Sequence, residues 1–229
     1  MSVMGRRALI FLVFAAAWAG ALAQTHYLSH VHVGGHAGVT LSSMSFYPSV
    51  KQEMIQGLTA GVSFRYAEER HVGLQAELNI EQSGWKEDYE GLPFKYERQL
   101  TYLRLPVMTH IFFGSRVVKF FFNLGPEVSY MLGEKISSNF DYAHASTNPQ
   151  FPASRRYEQL DLPVSNRFDY GITGGAGVEF VIRRRHCVAL EGRYYFGLGN
   201  IFPSTKKDYF SASRATSILI TLAYKFRLK

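Results

Sequence analysis

Residues 57–85 read GLTAGVSFRYAEERHVGLQAELNIEQSGW, two runs of strict period-two alternation about a short polar turn. In the first run Leu58, Ala60, Val62, Phe64 and Tyr66 share one face, opposite Thr59, Gly61, Ser63 and Arg65. In the second, Val72, Leu74, Ala76, Leu78 and Ile80 alternate with Gly73, Gln75, Glu77, Asn79 and Glu81. Successive side chains of a strand point to opposite faces, so alternation this long specifies two strands. The turn at 68–71 is short enough to make them an antiparallel hairpin. Against the apolar stripe there must be either a protein core or lipid.

The same alternation recurs along the chain. Segments 32–41, 99–113, 118–132, 167–182, 186–196 and 216–228 join the hairpin to give eight strands, and no segment after the N-terminus shows a helical period. Connections 68–70, 114–117 and 183–185 are short, whereas 42–56, 83–98, 133–166 and 197–215 are long. Strict alternation of short and long connections with an even strand count predicts an all-β, eight-stranded antiparallel up-and-down transmembrane barrel. Short turns and both termini then face the periplasm, and the long loops are external.

The N-terminus fits an exported protein. Arg6 and Arg7 precede an apolar run at 8–17 that is too short to span a bilayer, and Ala21-Leu22-Ala23 offers a small-x-small cleavage site. The expected organisation is a signal peptide at 1–23 and one barrel domain at 24–229. A single cysteine, Cys187, excludes an internal disulfide. Of the net charge of +7, two arginines leave with the leader; the remainder is scattered except for Arg183, Arg184 and Arg185, which read as a solvated turn. With no basic stripe, nucleic acid is not an expected partner.

Which way the apolar face points is decided by the opposite face. It mixes Gly61, Gly73, Gly125, Gly171, Gly175 and Gly177 with Arg65, Glu77, Glu81, Arg104, Glu127, Asp169, Glu179, Glu191 and Arg193. Glycine weakens a strand and serves no purpose on a solvated face, but in a narrow lumen it makes room for long charged side chains. Those charges must pair, because an isolated buried charge is very costly. Tyr66, Tyr102, Phe112, Phe113, Tyr130, Tyr170, Tyr194, Phe196 and Tyr224 gather near strand ends, as interfacial girdles do. A lumen filled by side chains does not conduct solutes freely. The competing architecture is a soluble lipocalin-like carrier with its apolar face turned inward.

Several segments also resemble a known family: LRLPVM (103–108), GPEVSYML (125–132), YGITGGAGVEF (170–180), GRYYFGLGNIF (192–202) and LAYKF (222–226). Their order and spacing are similar to the PorT-like outer-membrane β-barrel proteins of Bacteroidota. That resemblance implies a barrel inserted by the barrel-assembly machinery, without assigned catalytic residues or cofactors, the namesake being linked to type IX secretion. The chain departs from the family pattern in carrying Arg104 where an acidic residue is common, and in continuing past Phe226 with Arg227, Leu228 and Lys229.

Candidate sites are few. His30, His32 and His36 share strand parity, with His26 upstream, but no carboxylate or cysteine joins them, so no metal site is assigned. A lipid-modifying barrel enzyme would need His110 to meet Ser129 or Ser63 and Glu127 or Asp169; no nucleophile-elbow motif supports this, and no catalytic residue is assigned. Trp85, Tyr89, Tyr96, Phe151, Arg155 and Arg156 mix aromatic and basic character in the second and third long loops, as binding surfaces often do. Expected partners are outer-membrane lipid and lipopolysaccharide, the barrel-assembly machinery, and an envelope or secretion-system protein.

Overall fold

In a computed structural model that describes residues 29–67, 71–152, 154–205 and 207–228, eight long strands close into a ring. They are β1 (His30–Tyr47), β3 (Ile55–Ala67), β4 (Val72–Glu87), β5 (Tyr96–Gly114), β6 (Val118–Ser138), β7 (Phe168–Ile182), β8 (His186–Gly197) and β9 (Ala212–Arg227). A two-residue strand, β2 (Gln52–Glu53), adds to the outer end of β4. Chain neighbours pair antiparallel, and the ring closes where β9 returns to β1. The expected leader at 1–23, His26 and the 68–70 turn lie outside the described residues.

Sidedness follows the alternation. Leu58, Leu74 and Leu222 stand 62%, 52% and 60% exposed on the outer wall, whereas Arg65, Glu77 and Arg193 are 3–4% exposed inside. Apolar side chains therefore face outward, which rules out a carrier with an apolar cavity. Among the described residues no helix is long and apolar enough to cross a membrane; the strands supply the lipid-facing wall. Glycine makes room in the lumen as its position requires. A Cβ on Gly61 would lie 2.1 Å from Asn79 Oδ1, and one on Gly177 would lie 2.4 Å from the Phe121 ring.

The strands run further at the long-loop end than the apolar alternation predicts, β1 reaching Tyr47 and β6 reaching Ser138. Beyond the lipid-facing stretch the pattern inverts. Met44, Phe46, Trp85, Tyr96, Leu100 and Tyr102 point inward, while Ser45, Lys86, Glu97 and Gln99 face outward. The period is unchanged, but the apolar side is now the inner one. Two girdle assignments are corrected by parity: Tyr102 is buried inside, and Phe112 lies inward against His110. The helix-free expectation gains two exceptions in the third long loop, a 3-10 turn at Ala145–Thr147 and a single α-turn at Glu158–Asp161.

At the opposite end the turns are tight. Ser115 Oγ accepts hydrogen bonds from the backbone N–H groups of Val117 and Val118, at 3.3 and 3.0 Å. The β7–β8 turn holds Arg183 and Arg184 at φ 50° and 61°, a left-handed conformation that costs a β-carbon residue on the order of 1 kcal/mol.

Candidate functional site

Three layers of charge fill the lumen. Nearest the short turns, Arg65 Nη1 meets Glu179 Oε2 at 2.7 Å, while Arg65 Nε and Lys225 Nζ both donate to Gln75 Oε1, at 2.9 and 3.0 Å. In the middle, the Arg193 guanidinium bridges two carboxylates. It donates to Glu77 at 2.7 and 3.0 Å and to Glu191 at 3.1 and 2.9 Å. Asn79 and Gln75 donate to Glu77, and Asn123 donates to Glu191, so amides occupy lone pairs that the guanidinium leaves. Toward the loop end, Arg104 contacts Glu127 at 2.9 Å and Glu81 at 3.3 Å and packs 4.4 Å from the centre of the Tyr195 ring. Tyr195 in turn donates to Asp169 at 2.8 Å.

All nine charged residues read from the polar face are thus inside, and eight of them fall into ion pairs; Asp169 is held instead by a tyrosine hydroxyl. Lys225, Gln75, Asn79 and Asn123 also belong to this network, beyond the nine charges named from the sequence. Each lies on the inward parity of its strand, so parity alone would have found them.

The loop end is closed by an aromatic cap. Phe46, Trp85, Phe202 and Phe210 pack ring to ring at 5.2–6.2 Å, and the Arg98 guanidinium lies over Trp85 and Phe202. A second group joins Tyr89, Phe94, Phe140 and Phe151. The third long loop is the keystone. Gln159 donates to Glu87 at 3.1 Å, Tyr96 donates to the Leu160 carbonyl at 2.7 Å, and Arg98 donates to the Leu162 carbonyl at 2.8 Å. Burial pushes the Glu87 carboxyl up to about 7 despite hydrogen bonds from Gln159 and Trp85.

This geometry corrects the external-surface reading for three residues. Trp85 and Tyr96 are fully buried because their strand parity turns them into the cap, and Tyr89, just past the end of β4, is nearly so because it packs against Phe94, Phe140 and Phe151. Phe151 is half-buried in the same cluster, and Arg155 is half-buried against Glu90, at 3.1 Å. Arg156 is exposed. The exposed apolar groups at this end are instead Tyr47, Met54, Leu92, Tyr157 and Tyr209.

His110 forms no hydrogen bond with Ser129 or Ser63 among the described residues. His110 Nδ1 lies 2.7 Å from Asn123 Oδ1, whereas Ser129 sits opposite Arg104 and donates to the Asp169 carbonyl. The histidines of β1 also diverge. His30 contacts Arg227, His32 lies in the mouth at the short-turn end, and His36 faces Glu77 at 3.7 Å. Among the described residues no group of three metal-ligating side chains converges.

Comparison with known proteins agrees on architecture. The family described as outer membrane protein beta-barrel domain matches residues 22–203. No curated protein matches the chain. Among solved structures, OprG of Pseudomonas aeruginosa is similar at a TM-score of 0.51 and 11% identity, over 89% of this chain and 97% of that one. Outer membrane protein W of E. coli gives 0.48 and 14%, over 89% and 100%, and the outer membrane enzyme PagL gives 0.40 and 14%, over 85% and 97%. At 11% identity the likeness to OprG is one of fold alone.

Proposed function

Because this chain belongs to the family of outer membrane protein β-barrel domains, we propose that it is an integral outer-membrane barrel with a sealed lumen and a structural or interaction role rather than a catalytic one. The observation that carries this reading is the double closure: a charge network through the wall region, and an aromatic cap at its long-loop end. A lumen of eight strands filled by side chains leaves the ends themselves as the working surfaces.

The alternation of short and long connections supports short turns and both termini in the periplasm and the capped end outside. On that orientation, lipopolysaccharide meets the cap rim. Arg156, Tyr157, Tyr209 and Tyr47 are the exposed groups placed to contact sugars, phosphates or a partner protein. Within the family, the PorT-like motifs support a place in an envelope or secretion assembly, with insertion by the barrel-assembly machinery. The commitment of His110 to Asn123 supports the non-enzymatic reading.

Photo-cross-linking residues placed at 156 and 209, in cells, test the interaction role. Capture of one discrete envelope protein from the cap, and not from positions 58 or 74 on the wall, is expected. Labelling of lipid alone at every position would remove the partner. A changed lipid A mass profile on deletion, reversed by the wild type but not by His110→Ala, would replace this reading with the enzymatic one.

A further inference from the structure

Among the described residues the end of the barrel opposite the cap carries no aromatic cap, and its chemistry differs from everything above it. A cavity of about 570 Å³ indents the short-turn mouth. Arg65 and His32 line it, with Lys119, Arg116, Arg184 and the Phe112 ring around them; among the described residues no aspartate or glutamate lines it. Glu179, which does not line it, is engaged by Arg65 Nη1. Cationic groups crowded into one concavity repel one another unless an anion joins them.

Two buried atoms there are unpartnered. Arg65 is 3% exposed and its Nη2 has no hydrogen-bond partner; His32 is 8% exposed and its Nδ1 has none. Elsewhere in the lumen the Arg193 guanidinium is shared between two carboxylates, and Arg104 Nε, which also lacks a hydrogen bond, still has Glu81 at 3.3 Å; Arg65 Nη2 faces the cavity with no hydrogen bond, as a ligand-binding N–H would. The rim adds a third observation. Arg184 is held in the left-handed conformation, where glycine or asparagine is favoured, and it lines the cavity.

We propose that this mouth binds a phosphate-bearing ligand. Arg65 and His32 are the inner groups, and Arg116, Lys119 and Arg184 close over the outer oxygens. Guanidinium forks match the oxygens of a phosphate two at a time, and an ammonium adds a movable point charge. The volume exceeds that of a bare phosphate and accommodates a phosphate ester. Phe113, on the lipid-facing side of β5, forms part of the wall, so a phospholipid headgroup can reach the site from the membrane as a free phosphate ester can from solution.

The test uses the full folded barrel. In detergent free of phospholipid, phosphorus NMR titrates inorganic phosphate and glycerol phosphate; vesicles of phosphatidylglycerol with phosphatidylcholine, against phosphatidylcholine alone, form the second arm. Saturable binding of the soluble phosphates identifies a free ligand, and selective enrichment of phosphatidylglycerol alone identifies a headgroup. In either arm, combining Arg116→Gln, Lys119→Gln and Arg184→Gln is expected to weaken binding at least tenfold, the order expected when charge-assisted contacts are lost. Arg184→Gly is the second variant. It relieves the turn, so the barrel must fold at least as well while affinity falls. Absence of saturable binding in both arms, or affinities that neither variant changes in a folded barrel, would overturn the proposal.

Discussion

The lumen and the cap are built on the same strands with the same alternation, yet they are opposite kinds of interior. On β5, Arg104 and His110 point inward below while Leu105, Val107 and Ile111 meet the outer medium; above, Tyr96, Leu100 and Tyr102 point inward while Glu97 and Gln99 face out. What surrounds the wall decides which side is apolar. Beside lipid, hydrocarbon outside is the low-energy choice and the inside must satisfy its own polar groups. Where the wall projects into water, the hydrophobic effect reverses and draws the aromatics inward. One barrel therefore carries an inverted core and a conventional core stacked end to end.

The comparison breaks hardest at Arg193. Replacing it with Met leaves Glu77 and Glu191 buried without their shared cation, a loss of about 3–5 kcal/mol. The folded, heat-modifiable band should be strongly depleted and the whole barrel affected. Trp85→Ala removes a fully buried ring from the cap at a cost of about 3–4 kcal/mol. Here the barrel should stay inserted, with loss confined to the loop end. Trypsin should then cut at Arg155 or Arg156 at least tenfold faster, while the heat-modifiable band persists. If Trp85→Ala also abolished insertion, the two interiors would be one cooperative unit.

Most of the barrel was legible because period-two alternation and turn lengths act locally. The strand set, the closure and the lumen residues follow from Arg65, Glu77, Arg104 and their parity. The cap was not read, and the reason is physical. Tracing strands by an outward apolar face ends each one where the outside turns from lipid to water, although Ser83, Trp85 and Glu87 continue the inward parity of Glu81 without a break. Trp85 and Tyr96 are therefore strand interior rather than loop surface. The segment 159–162 that locks the cap has no local signal, since its partners Glu87, Tyr96 and Arg98 lie some sixty to seventy residues away, on β4 and β5. The mouth was missed for a similar reason: Arg184 reads as one of three turn arginines until the ring closure sets it beside Lys119 and Arg65.

A pH series sharpens the contrast at one carboxyl. Glu87 lies in the cap beyond the lipid-facing wall, and burial raises it from 4.5 to about 7. The sign follows from a group that holds its proton more tightly when the cap is closed. Its stabilisation is complete below about pH 4.5 and is lost as pH rises through 7. The gap between those values corresponds to roughly 3 kcal/mol. Outside residues 1–23, Trp85 is the only tryptophan, so the emission of a protein lacking that segment reports the cap directly. Emission is expected to move to longer wavelength between pH 5 and 8, with Glu87→Gln flattening the curve. A curve that Glu87→Gln leaves unchanged would remove Glu87 as its cause.

The smallest expected effect tests the medium that sets the inversion. Leu74 lies on the lipid-facing stripe near the short-turn end of β4, between Tyr66 and Thr109, and is half exposed. Arginine there places a charge partway into hydrocarbon, costing about 2 kcal/mol, less than at the midplane because it can reach the nearby headgroups. The matching change above the lipid-facing stretch, Glu97→Arg, puts the charge into water and should cost almost nothing. Urea titration of both variants in phosphatidylcholine vesicles measures the difference. In detergent micelles, which thin readily around a charge, the penalty at Leu74 should shrink. Equal stabilities for the two variants in vesicles would mean that lipid does not cover this wall, and the outward apolar stripe would need another explanation.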